Sequence, residues 1–236
     1  MEDIEENLKQ VRKNLERALE KTGRDPNDVT LIAVSKTHPA EAVREVMHAG
    51  HLIFGESRVQ EARAKIPLVP SNARWHFIGH LQKNKVRNAL PLFELIHSVD
   101  SLEIAAAIER IASELGLYPR VLLEVNVAEE ASKFGFTADT LRQNLESLIA
   151  LERLQIEGLM TIAPYSEDPE HSRRYFASLR ELRDTIEQSE QIGLPTLSMG
   201  MSGDFPVAIE EGATMVRIGT SIFGSRHASE KSQAAI

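Results

Sequence analysis

Apolar positions along the chain follow two alternating rhythms. Ile4, Leu8, Val11, Leu15 and Leu19 recur at steps of four and three, which predicts an amphipathic helix over residues 3–21, ended by Gly23 and Pro26. After it come short β-rich runs at 30–35, 51–54, 75–78, 94–99, 121–127, 154–160, 195–199 and 214–218. Helical patterns separate them. Pro39 to Ala49 starts with a proline and stops before Gly50. Ser101 to Leu115 starts on a capping serine, carries Ile104, Ile108 and Ile111 on one face, and stops before Gly116. Leu141, Leu145, Leu148 and Ile149 form another stripe, and Tyr175, Phe176, Leu179 and Ile186 a further one. Pro206 to Glu211 reads as a short helix closed by Gly212.

Strands that alternate with helices pair in parallel, because parallel neighbours need crossover connections. Eight such units within 236 residues predict an α/β fold, a single closed (β/α)8 TIM barrel with an extra N-terminal helix. The barrel is expected to occupy residues 1–226, and the small, polar stretch 227–236 to be a disordered tail.

Composition narrows the function classes. A net charge of −8 disfavours non-specific attraction to nucleic acid phosphates. With no cysteine, disulfides, thiol nucleophiles and thiolate metal sites are excluded. The acidic N-terminus lacks the apolar segment of a secretory signal, and no stretch approaches the ~20 apolar residues that cross a bilayer. A cytoplasmic protein without membrane or nucleic acid partners is expected. The basic run Lys83, Lys85, Arg87 reads as a solvated helix face. His76 and His80 straddle a strand and a loop, so helical metal-ligand spacing does not apply and no metal site is expected; His80 reads as a hydrogen-bonding loop residue.

In such barrels the chemistry sits where strands end. Lys36 follows the first β-rich run, Gly55-Glu56-Ser57-Arg58 the second, and Gly79-His80 the third. Asn126 lies near the end of the fifth. Residues 198–204 (SMGMSGD) follow the seventh, and the eighth runs into Arg217-Ile218-Gly219-Thr220. The last two loops suit a phosphate: Gly200 and Gly203 allow close backbone approach, Ser202 offers a hydroxyl, and Gly219-Thr220 offers further N–H donors. The alternative is a tight turn without a ligand. Lys36, just beyond the apolar LIAV, is either a desolvated amine able to attack an aldehyde or a solvated lysine packed along the strand end. Arg217 either faces a ligand nitrogen, to which it only donates, or pairs with Glu124. An aldehyde that carries a phosphate would bridge Lys36 and the two loops, and pyridoxal phosphate is such a molecule.

AVSKTHP (33–39), FGESRVQE (54–61), WHFIGHLQKNK (75–85), LMTIAP (159–164) and LSMGMSGDFPVAIEEGATMVRIGTSIFG (197–224) resemble the pyridoxal-phosphate homeostasis protein family. The resemblance implies a fold-type III barrel like the N-terminal domain of alanine racemase, without that enzyme's C-terminal domain. It also implies that Lys36 carries pyridoxal 5′-phosphate as a Schiff base, an internal aldimine. Ser202, Gly219 and Thr220 are implied as phosphate ligands, with Met201 beside them, and Arg217 as the partner of the pyridine nitrogen. Ser57 and His80 fall in motifs at the same rim and are carried as further contacts. The chain departs from the family at Ser57, where Asn is usual, and at His38, where Lys is common.

The function so implied is intracellular storage and delivery of the cofactor, with apo enzymes as recipients and without turnover. The alternatives are a pyridoxal-phosphate-dependent amino-acid racemase or decarboxylase, an aldolase-like barrel whose Lys36 binds a sugar phosphate directly, and a regulatory partner with a vestigial ligand. Racemisation needs two acid–base groups about Cα, and only Lys36 is evident. A monomer is expected, because no exposed apolar stripe stands out.

Overall fold

The computed structural model describes residues 3–130 and 132–224. The expected tail 227–236 lies outside the described residues. Eight parallel strands close in sequence order: β1 (Thr30–Val34), β2 (Ile53–Glu56), β3 (Arg74–Phe77), β4 (Leu95–Val99), β5 (Arg120–Glu124), β6 (Gln155–Met160), β7 (Thr196–Met201) and β8 (Met215–Ile218). β8 returns to β1 with Ile32 beside Arg217 and Ala33 beside Ile218, which completes the barrel.

The helices form where apolar stripes and caps coincide. α1 (Ile4–Thr22) buries Leu8, Val11, Leu15, Ala18 and Leu19. The Asp3 carboxylate accepts the Glu6 N–H at 3.1 Å, and Gly23 takes the left-handed conformation at its end. This additional helix packs on α8 (Phe205–Glu210) and α9 (Thr220–Phe223), outside the strands whose far ends form the site. α2 (Ala40–His48) follows β1, α3 (Val59–Lys65) follows β2, and the single turn α4 (Val86–Ala89) follows β3. α5 (Leu102–Leu115), α6 (Ala138–Ile149) and α7 (Arg173–Glu190) cover the remaining strands. α5 is capped by Ser101 and stopped by left-handed Gly116. No helix among the described residues is long and apolar enough to cross a membrane.

Most strand boundaries shift by a residue or two from the sequence expectation, and three differences bear on the site. β2 extends through Gly55 and Glu56, which pair with His76 and Phe77 instead of forming a loop. β5 ends at Glu124; Val125 makes one bridge to Phe136, and the Asn126 side chain closes the following loop on the Glu130 backbone. β7 runs to Met201, so only Ser202–Asp204 remain as the turn. α3 buries only Val59, Ala62 and Lys65, which form no apolar stripe, and it escaped prediction.

The side chains between the sheet and its helices form one large apolar core. The barrel interior is mixed. Leu95, Leu122 and Met160 make a small apolar layer, and a polar layer of His76, His97, Ser198 and Arg217 lies across the barrel, all buried. Such interiors are usually filled by branched apolar residues, so a polar layer directs attention to the strand ends above it.

Candidate functional site

A cavity of about 240 Å³ opens at the C-terminal ends of the strands. Val34, Lys36, Ile78, Ile162, Met201, Ser202, Gly203, Arg217, Gly219 and Thr220 line it. Six of the eight proposed site residues thus converge there: Lys36, Met201, Ser202, Arg217, Gly219 and Thr220. Ser57 and His80 are not among its lining residues. The Ser57 backbone packs under Gly79, where a Cβ would sit 2.2 Å from its carbonyl oxygen. His80 Nδ1 meets Asp100 Oδ2 at 2.8 Å, and its ring stacks on Phe134 with centroids 3.7 Å apart. The larger concavity along α1 is lined by its surface residues Glu5, Lys9, Arg12, Lys13 and Glu16, with no such convergence.

One wall is made of backbone donors. The N–H groups of Gly219 and Ser221 both point at Ser202 Oγ, at 3.3 and 3.4 Å. Both bonds are long, so an anion could take these donors at little cost. The turn that carries Ser202 is held by Asp204, which accepts the Met201 N–H at 2.7 Å and the Ser172 hydroxyl at 3.0 Å. Gly200 enters this turn at φ 92°, and a Cβ there would lie 2.6 Å from Ala208 Cβ, so the turn and α8 pack only with glycine. At Gly203 a Cβ would meet nothing within 4 Å. Protein packing does not require that glycine, and the space beside it is free for a ligand.

Arg217 forms the floor. It donates to Ser198 Oγ at 2.5 Å and to the Thr161 carbonyl at 2.8 Å. Burial pulls its pKa down to about 10, against the attraction of Glu124 and Asp204, so it stays charged at neutral pH. The hydrogen bonds go to neutral oxygens, and Glu124 acts on Arg217 only as a nearby charge. From Ser198 the contacts continue to His97 Nδ1 at 2.9 Å, and from His97 Nε2 to His76 Nδ1 at 3.0 Å. Burial holds His76 down at about 4 and His97 well below its ordinary value, so both imidazoles are neutral. His76 Nε2 ends this chain, buried with no hydrogen-bond partner among the described residues.

Glu124, at the end of β5, is buried and titrates at about 7, raised first by desolvation and then by Asp100, with Arg217 opposing. The basic run noted above forms turns whose Lys83 and Arg87 pair with Glu103 and Glu114 of α5. Ser198, His97 and Glu124 escaped selection as site residues. Their signal was present: each interrupts an apolar strand at a position that alternation assigns to one face with Leu95, Leu122 or Arg217.

An amine, converging N–H and hydroxyl donors, a fixed guanidinium and the apolar side chains of Val34, Ile78 and Ile162 suit a flat, phosphorylated aldehyde. Comparison with known proteins agrees with this geometry. A sequence profile of the alanine racemase N-terminal domain matches residues 7–227. Alanine racemase of Clostridium difficile superposes with a TM-score of 0.73 at 17% identity, over 97% of this chain and 58% of that one, which establishes a shared fold. Much nearer relatives carry a more specific name. The pyridoxal phosphate homeostasis protein of Aquifex aeolicus is 45% identical over 94% of this chain and 97% of its own length. That of Escherichia coli K12 is 41% identical over 98% and 100%. PipY of Synechococcus elongatus, solved with PLP bound, is 43% identical with a TM-score of 0.78, over 89% of this chain and all of its own. The chain belongs to the pyridoxal phosphate homeostasis protein family.

Proposed function

We propose that this protein binds pyridoxal 5′-phosphate through Lys36 and acts in cofactor homeostasis in the cytoplasm, storing the cofactor and releasing it to apo enzymes without turnover. The observation that carries this reading is the meeting of Lys36, Ser202, Gly219, Thr220 and Arg217 on one cavity. PipY with its bound PLP supports it by likeness.

In this reading Lys36 Nζ anchors the aldehyde carbon as a Schiff base. The Ser202 and Thr220 hydroxyls and the Gly219 and Ser221 N–H groups receive the phosphate, and Met201 packs beside it. Arg217, which only donates, faces the ring nitrogen and keeps it unprotonated. The cofactor, when bound, supplies an aldehyde and an electron-withdrawing ring. An unprotonated ring withdraws electrons weakly, which suits holding over turnover. One chain carries every group this reading uses, so a monomer suffices.

The test is the visible spectrum of the purified protein and of Lys36→Ala, before and after borohydride, with the modified peptide mapped. A yellow protein labelled at Lys36, with the band changed or lost in the variant, is expected. A protein that stays colourless with added pyridoxal phosphate defeats the reading.

One observation favours the alternative of a racemase or decarboxylase. Glu124, buried near the cavity floor and titrating at about 7, is an acid–base group close to neutrality. Deuterium exchange at the Cα of added amino acids distinguishes the two; catalytic exchange that is lost in Glu124→Gln would establish turnover.

A further inference from the structure

Behind Lys36 lies a second lysine with a different task. Lys65, on the last turn of α3, is buried with its ammonium between the main chain of the Lys36 loop and two carboxylates. Lys65 Nζ donates to the Ser35 carbonyl at 2.8 Å, to Glu56 Oε1 at 2.5 Å and to Glu61 Oε1 at 3.1 Å. Glu56 Oε1 also accepts the Ser35 hydroxyl at 2.7 Å, and Glu61 Oε1 accepts the Thr37 N–H at 2.6 Å. The residues on both sides of Lys36 are therefore tied to one charged cluster.

The tied segment is strained. Ser35 O accepts the His38 N–H at 3.0 Å, closing a β-turn with Lys36 and Thr37 at its centre. Thr37 holds φ at 68°, a left-handed conformation that a β-branched residue avoids. Strain of this kind persists only where surrounding contacts enforce it. The cluster is also a poor choice for stability alone, because burying an ion pair costs desolvation that apolar packing would not. Both features are explained together if the cluster exists to impose the turn.

We propose that Lys65, with Glu56 and Glu61, is a positioning group that holds the Ser35–His38 turn in the strained form from which Lys36 reaches the cavity. The inference rests on Lys36 being the cofactor anchor. These residues touch the loop and do not line the cavity, so their removal loosens the presentation of the amine while leaving the Ser202–Gly219 wall intact.

Two measurements test it: amide hydrogen exchange at Thr37 in the cofactor-free protein, and pyridoxal phosphate titration with borohydride labelling of Lys36. In Glu61→Ala, a half-buried site at the edge of the cluster, Thr37 exchange should rise and cofactor affinity fall by about tenfold each. Lys65→Arg, which keeps the charge and donors, should retain most of the parent's exchange protection and affinity. The double change Glu56→Gln with Lys65→Met removes both buried charges together, and it should reproduce the Glu61→Ala phenotype if it folds. Unchanged Thr37 exchange and unchanged affinity in Glu61→Ala overturn the proposal. If the parent protein takes no label at Lys36, the cofactor reading fails instead, and Thr37 exchange still decides whether the cluster holds the turn.

Discussion

Arg217 donates to the hydroxyl of Ser198 at 2.5 Å, and that same hydroxyl meets His97 at 2.9 Å, so one buried oxygen links the floor of the cavity to the imidazoles inside the barrel. The guanidinium cannot rotate without breaking this bond and its bond to the Thr161 carbonyl. The position of Arg217 at the cavity is thus set from below, by Ser198 and Thr161, which do not line the cavity.

Ser198→Ala tests that linkage. It strands one Arg217 N–H and His97 Nδ1 in a dry interior, where an unmade hydrogen bond costs about 1–3 kcal/mol. For a barrel of this size that corresponds to a fall in melting temperature of roughly 2–12 °C. A thermal melt of the variant beside the parent protein measures it, and an unchanged melting temperature would mean that the Ser198 bonds contribute nothing net.

Acid should weaken the fold before the ordinary carboxylates protonate. Burial depresses His51 and His76 to about 4 and His97 further, whereas the unfolded chain takes up these protons near 6.5. The unfolded state therefore binds more protons between about pH 6.5 and 4, and stability falls as pH drops through that window. Glu124, raised to about 7, and Glu56, raised by burial, bind their protons first in the folded state and oppose the trend, two groups against three. Urea midpoints from pH 7 to pH 4.5 should decline steadily, with a loss on the order of 3 kcal/mol. A flat profile would show that these histidines are hydrated and titrate normally.

Glu124 should leave its mark on the cofactor as well. Above about pH 7 its carboxylate adds negative charge near the cavity floor and draws on Arg217; below that pH it is neutral. The visible band of the loaded protein should therefore show a titration step close to pH 7 that disappears in Glu124→Gln. Persistence of the step in the variant would assign it to another group, with Glu124 excluded as its source.

Much of the molecule was legible along the chain. The alternation of apolar runs with amphipathic helices specified all eight strands and the barrel, because the periods of strand and helix are local properties. Lys36, Ser202, Arg217, Gly219 and Thr220 were identifiable because a barrel brings the residues after its strands to one rim, so order in sequence translates directly into position. The errors fell where pairing overrides local preference. Gly55 and Glu56 are strand residues only because β3 is there to pair with them, and Asn126 turns away because its loop bonds to itself.

The layer beneath and behind the site came from packing between elements far apart in the chain. His97 and Ser198 are 101 residues apart, and Lys65 reaches back 30 residues to the Ser35 carbonyl. Strand alternation marks the face that His97 and Ser198 share, but no local pattern names their partners or tells Lys65 from a solvated helical lysine. The sequence determined which strands would close and which residues would stand at their ends. Closure then placed distant polar groups out of water and in contact; burial shifts Glu124, His97 and Arg217 from their ordinary pKa values, and it packs Lys65 against Ser35 and Glu56.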